Sequence, residues 1–226
     1  KINNRYAPAT KIAQVFYNKK IKQKRSQSIK PEYEYNNDLI KFFLNDNGYE
    51  ITNSAMPYIN LNNISKKSNI KKTIYIHPFT GGSSKTLSVN DFVNLCYELN
   101  KYCELKFILH CDRNDYDKCK IMEKKMCNLL DVETIEPTND FKTMFTNINK
   151  SDLFIAGSTG PLHAAGALNI KTVGFYPSVK SSTSLRWDTI NDQMNKLVFE
   201  DTDSYNQYIQ VDIQNVAAKI YSKLLR

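Results

Sequence analysis

The chain has 226 residues, 41% of them hydrophobic, enough for a sizeable core in one large domain or in one domain with a piece of another. No apolar run approaches the ~20 residues that a membrane-spanning helix needs, and no signal-peptide core lies near the start. The net charge of +8 is local: residues 1–30 carry nine basic side chains and no acidic one, leaving 22 basic against 23 acidic over the rest. A body so balanced offers no dispersed basic surface, so nucleic acid is not expected as a partner. Five cysteines (Cys96, Cys103, Cys111, Cys119 and Cys127) form no C-x-x-C pair. They read as reduced thiols of a cytoplasmic protein rather than a disulfide framework or a zinc site. The chain begins at Lys1 rather than Met, and a processed product or a fragment is expected.

In chain order, residues 10–25 read as an amphipathic helix, with Ile12, Val15, Phe16 and Ile21 at helical spacing and lysines between them. Pro31 breaks that pattern, and a second helix is expected from Glu32 to Leu44, stopped by Asp46-Asn47-Gly48. The Asn-, Ser- and Lys-rich stretch 51–72 reads as a linker. Alternation then sets in. Strands are expected at Thr73–His77, Leu105–Cys111, Val132–Ile135, Leu153–Ala156 and Thr172–Tyr176. Helices are expected at Ser88–Lys101, capped by Ser88 or Asn90, and at Tyr116–Leu130, Asp140–Ile148, Pro161–Leu168 and Ile213–Leu225. Repeated β-α units of this length predict an α/β fold: a Rossmann-like parallel sheet covered by helices, with ligands at the carboxyl ends of the strands.

Two of those strand ends carry chemistry. Leu153–Ala156 runs straight into Gly157-Ser158-Thr159-Gly160-Pro161-Leu162-His163. Hydroxyls at Ser158 and Thr159 suit a helix cap, and Pro161 stands in the first turn, where a missing N–H is tolerated. A helix N-terminus built this way attracts phosphate. The other strand ends in His77-Pro78-Phe79-Thr80-Gly81-Gly82-Ser83-Ser84-Lys85-Thr86. Ser84 stands where an NTPase P-loop requires Gly before the Lys, so that reading is rejected. Loop amides, hydroxyls and one ammonium can still hold a diphosphate, although the loop reads equally well as a solvated turn with an exposed lysine. His110-Cys111 lacks further ligands at metal spacing, so no metal is expected. No G-x-G-x-x-G turn follows any predicted strand, which disfavours a nucleotide-dependent oxidoreductase.

Taken together, His77-Pro78…Gly81-Gly82-Ser83…Lys85…Leu87 and Ser158-Thr159-Gly160-Pro161-Leu162-His163…Ala165-Gly166-Ala167-Leu168 resemble glycosyltransferase family nine, which includes the ADP-heptose:lipopolysaccharide heptosyltransferases. Val173-Gly174-Phe175-Tyr176-Pro177 with Arg186-Trp187, and Arg25-Ser26, Glu34-Tyr35-Asn36 and Asp38-Leu39, extend the resemblance over nearly the whole chain. It implies the C-terminal half of a GT-B fold. Residues 1–50 would be the mostly helical tail of an N-terminal, acceptor-binding domain, and 73–226 a nucleotide-sugar-binding domain. Lys85 would hold the donor diphosphate with Thr80, Gly81, Gly82 and Ser83. Ser158, Thr159, Gly160 and His163 would sit against the same phosphates. The ribose-binding acid would be Asp115, with Asp112 the second choice. Heptosyltransferases often have Asp where this chain has Ser158, which removes one negative charge from the donor site.

The reaction implied is inverting transfer of a sugar from a nucleotide-diphospho-sugar, ADP-heptose, to a saccharide of the lipopolysaccharide core. The donor is a substrate and no cofactor is implied. The family's general base lies in the part of the N-terminal domain that this sequence does not include, so no catalytic residue is assigned within the chain. The basic segment 10–25 would touch the inner face of the cytoplasmic membrane, or pack on its own acceptor domain. The rival reading is a catalytically inactive remnant or a nucleotide-binding module.

Overall fold

The computed structural model describes residues 2–9, 12–50, 58, 59, 61, 71–82 and 84–226. Most of the expected linker, 51–72, therefore lies outside the described residues, as does Ser83.

Six parallel strands form the main sheet: β3 (Lys72–His77), β4 (Leu105–Leu109), β5 (Asp131–Thr134), β6 (Leu153–Gly157), β7 (Thr172–Tyr176) and β8 (Lys196–Glu200). Their order is β5-β4-β3-β6-β7-β8. From β3, the next two strands are thus laid down outward to one side and the last three to the other. The topological switch lies between β3 and β6, which pair in register with His77 opposite Ala156. In such sheets the crevice at the switch, beyond the carboxyl ends, is where ligands bind, because the connections leave in opposite directions and part there.

Side-chain alternation along the strands splits the core into two layers. Ile74, Ile76, Phe107, Leu109, Ile155 and Val173 join one cluster with α2 (Val89–Asn100), α3 (Tyr116–Met126) and the last helix (Ile213–Ile220). Tyr75, Ile108, Phe154, Ala156 and Tyr176 face the other way, with α4 (Phe141–Ile148) and α5 (Gly160–Ala167). Ser88 caps α2 by accepting from the Asp91 amide, and Asp140 caps α4 through the amides of Lys142 and Thr143. The last helix ends in a wider turn, Tyr221–Leu225, that keeps Leu224 and Leu225 buried.

Two expectations are corrected here. The amphipathic helix over 10–25 is not formed. Among its described residues, Ile12–Phe16 is a short 3-10 turn, and Lys19–Ile21 is a strand, β2, paired in parallel with β1 (Tyr6–Pro8). Thr10 and Lys11 lie outside the described residues. Long-range pairing outweighs local periodicity: the Lys19 ammonium sits 3.0 Å from Asp46 of α1 (Glu32–Asp46), and Asn18 bonds both Arg5 and Asn3. Ile12, Val15 and Phe16 are left exposed rather than gathered on a buried face. The second correction is an omission. Strand β8 has no counterpart in the sequence reading, because Lys-Leu-Val-Phe-Glu is a half-buried edge strand whose pattern is too short to stand out.

Candidate functional site

The loop after β3 and the turn after β6 meet at the switch point. Gly81 and Gly82 both take positive φ, 57° and 80°, which tightens the loop tip into a conformation that L side chains resist. Thr80 closes the loop by donating to the Ser84 carbonyl at 2.7 Å. A cleft of about 410 Å³ lies against it, lined by Thr80, Gly81, Gly82, Lys85 and Asp115 among others. A second cleft of about 440 Å³ is lined by Ser158, Thr159, Gly160, His163, Arg186 and Trp187. The two clefts share Ser84 as a wall. All the described candidate residues except Asp112 therefore line one or other of two adjoining clefts, together one recess about Ser84.

Gly157 permits this convergence. A Cβ there would stand 2.7 Å from the Thr86 Oγ1 and 3.3 Å from the Thr80 methyl, so the β3 loop packs directly on the last backbone atoms of β6. Thr159 occupies the N-cap position of α5, but its hydroxyl makes no capping bond, contrary to the sequence reading. It is buried without a partner, and so is the hydroxyl of Thr86. Six buried hydroxyls lack a partner among the described residues, and two of the six, Thr86 and Thr159, line the recess, one in each cleft. The first amides of α5 also lack intrahelical acceptors, as at every helix start. His163, one turn in, is half-buried, and burial pushes its imidazole down, which keeps it neutral at pH 7.

The charged groups are paired. The Lys85 ammonium donates to the Asp201 carboxylate and, at 3.0 Å, to the Asp203 carbonyl. Asp201 follows β8 and its side chain is 0% exposed. Burial opposes its charge, but the amides of Gln210 and Asp203 and the lysine outweigh that and hold its carboxyl below the ordinary range. Asp115 accepts from Lys118 at 2.8 Å, and that ammonium lies 5.4 Å from the Phe79 ring centre. Asp112 is exposed and lines neither cleft. Arg186 stacks on Trp187 and is held by Glu32 at 2.8 Å, while Glu32 also takes Arg25 at 2.5 Å, tying the first helix to the second cleft. Asp201, directly after β8, had no signal in the sequence, because the strand that delivers it was itself unrecognised; nor did Gln207 and Tyr208, which line the first cleft. Among the described residues no group of three His, Cys, Asp or Glu side chains is placed to hold a metal ion.

Beneath the recess, at the strand ends, His77 and His110 form a buried pair with 3.0 Å between their Nδ1 atoms. The His77 Nδ1 is also 2.9 Å from the His110 carbonyl. A carbonyl only accepts, so His77 donates from Nδ1 and His110 presents a bare Nδ1.

The pattern of glycosyltransferase family 9 (heptosyltransferase) matches residues 6–216, nearly the whole chain. The chain belongs to glycosyltransferase family 9. A putative glycosyltransferase of Haemophilus influenzae is 34% identical over 211 residues, covering 88% of this chain and 60% of that protein. The family-9 fold is equally plain in solved structures. The Escherichia coli heptosyltransferase WaaC with ADP superposes with a TM-score of 0.66 at 14% identity, over 94% of this chain and 62% of that one. A family-9 glycosyltransferase from Veillonella parvula gives 0.69 at 14% identity, over 95% and 65%. The chain thus spans about three-fifths of the length of these family-9 proteins. The α/β class and the parallel sheet with flanking helices are those of GT-B-like glycosyltransferases, as the sequence led us to expect.

Proposed function

We propose that this chain is the donor-binding half of a GT-B glycosyltransferase that moves heptose from ADP-heptose to a saccharide of the lipopolysaccharide core, with inversion. In this reading residues 73–226 hold the nucleotide-sugar and residues 1–50 belong to the acceptor side. The chemistry takes place in the cytoplasm, at the inner face of the membrane. The observation that carries the reading is the recess at the switch point: a Gly-Gly-x-x-Lys loop and a helix N-terminus share one wall, with two buried hydroxyls unpartnered beside them.

Each group has a task in that reaction. When the bond to the anomeric carbon breaks, negative charge grows on the leaving diphosphate. The amides around Gly81–Gly82, those at the start of α5, and the Lys85 ammonium would stabilise it, since preorganised dipoles need no rearrangement as charge develops. Asp115 would accept from the ribose hydroxyls. A general base outside residues 1–226 would take the proton of the acceptor hydroxyl. The nucleotide-sugar is consumed as substrate, and no cofactor enters.

Isothermal titration with ADP tests the donor site. The folded wild-type chain is expected to bind. Lys85→Ala should weaken binding ~10–100-fold, the loss of one charge-assisted bond of about 1.5–3 kcal/mol. Ser158→Asp should also weaken it, by setting a carboxylate against the phosphates. Absence of binding by folded wild type would sink the donor-site reading, and undiminished binding by Lys85→Ala would remove the role given to that lysine.

A further inference from the structure

Asp201 is an unusual residue for a site that must attract a diphosphate. It is a carboxylate, its side chain is fully buried, and it sits against the one lysine of the Gly-Gly loop. Its position is fixed from several directions. Its own amide donates to the Tyr176 carbonyl at 2.9 Å, at the end of the sheet. Its Oδ1 accepts from the amides of Gln210, at 2.8 Å, and Asp203, at 3.1 Å. Two residues' worth of backbone thus hold one oxygen, leaving Oδ2 for the lysine. The neighbouring Ile209 amide donates to the Thr86 carbonyl at 2.9 Å, which fastens the same loop to the segment carrying Lys85.

We propose that Asp201 is a positioning residue of the donor site: its buried carboxylate, with the Asp203 carbonyl, takes two N–H groups of Lys85 and leaves the third facing the cleft for a diphosphate oxygen. This rests on reading the recess as the diphosphate site. A lysine has four rotatable bonds, and holding it in advance removes entropy that binding would otherwise cost. The side chain of Lys85 is 15% exposed and lines the first cleft, whereas the side chain of Asp201 is 0% exposed and does not line it. The arrangement also accounts for a carboxylate in an anion site. Asp201 sits behind the ammonium and acts through it.

Asp201→Asn separates this role from simple support of the loop. Asparagine keeps an oxygen for the two amides but turns an NH₂ group toward the lysine, so the loop neck stays closed while the grip on Lys85 is lost. We expect Asp201→Asn to weaken both ADP and inorganic pyrophosphate by the same factor, ~10-fold. In a Lys85→Ala background it should change neither by more than about 2-fold, because a residue acting through Lys85 has nothing left to act on. Wild-type or tighter binding by Asp201→Asn overturns the proposal. So does a loss that persists in full without Lys85, or one that falls on ADP but spares pyrophosphate, which would mark Asp201 as support for the loop wall. If Asp201→Asn does not fold, Asp201→Glu serves in its place: its longer carboxylate keeps the charge but displaces the ammonium, and unchanged pyrophosphate affinity overturns the proposal. Failure of the folded wild type to bind either ligand defeats the donor-site reading itself, a result distinct from all of these, and takes this proposal with it.

Discussion

Between pH 7 and pH 5 the protein is expected to lose roughly 2 kcal/mol of stability for each of its two paired histidines, His77 and His110. Burial pushes both imidazoles from the ordinary 6.5 down to about 4. The sign follows from proton uptake. In the unfolded chain each histidine binds a proton as pH falls through 6.5, while in the folded chain it stays neutral until about 4, so acid favours the unfolded state across that window. Geometry gives the same direction. The two Nδ1 atoms are 3.0 Å apart, so protonating His110 at Nδ1 would set donor against donor in a buried pocket. Urea unfolding at pH 7, 6 and 5 checks this: the midpoint should fall with little change in slope. A flat midpoint over that range would show that the pair charges freely. Ordinary carboxylates titrate below the window, while His163, also pushed down by burial, adds to the fall in the same direction, so a His163→Asn background isolates the pair.

Gly157→Ala should destabilise the fold by about 1–3 kcal/mol, the usual cost of overpacking, and impair ADP binding at the same time. The new methyl would meet the Thr86 Oγ1 at 2.7 Å and its Cβ at 2.9 Å. A rotamer change moves the hydroxyl but not the Cβ, and the Thr86 carbonyl is held by the Ile209 amide, so the backbone must give. The loop bearing Lys85 would then be pushed off the end of β6. Thr86→Ala in the same chain should recover part of the stability, because it deletes the nearer contact and leaves the other. Unfolding midpoints of the single and double variants decide this. A Gly157→Ala chain as stable as wild type would show that the two loops do not depend on their close approach.

How much of this was legible beforehand depended on the kind of signal. Strands β3, β4, β6 and β7 announce themselves as apolar runs, since strands covered on both faces must be apolar, whereas β5 (Asp-Val-Glu-Thr) is a partly exposed edge strand read from its place between two helices. Helices α2 and α4 carry their caps in the chain, at Ser88 and Asp140. The small-residue loops after β3 and β6 were equally visible, because glycines mark places where the backbone takes positive φ, as at Gly81 and Gly82, or allows close approach, as at Gly157. The segment 10–25 misled for a physical reason: lysines between apolar residues satisfy helical and strand periodicity alike, and the choice was made by pairing with Tyr6–Pro8 and by Asp46, forty residues away in the case of Tyr6.

The candidate site divides in the same way. Residue type and spacing alone determined the parallel α/β architecture, the Gly81–Gly82 turn and the helix start at Gly160, because each follows from local sterics. Tertiary structure alone decided which carboxylate faces the recess, with Asp115 inside and Asp112 out in solvent. It also decided that Lys85 is not a free cation, since its partner Asp201 lies 116 residues further on. Charge pairing at such separation depends on how strands are ordered in the sheet, and no local pattern records that order.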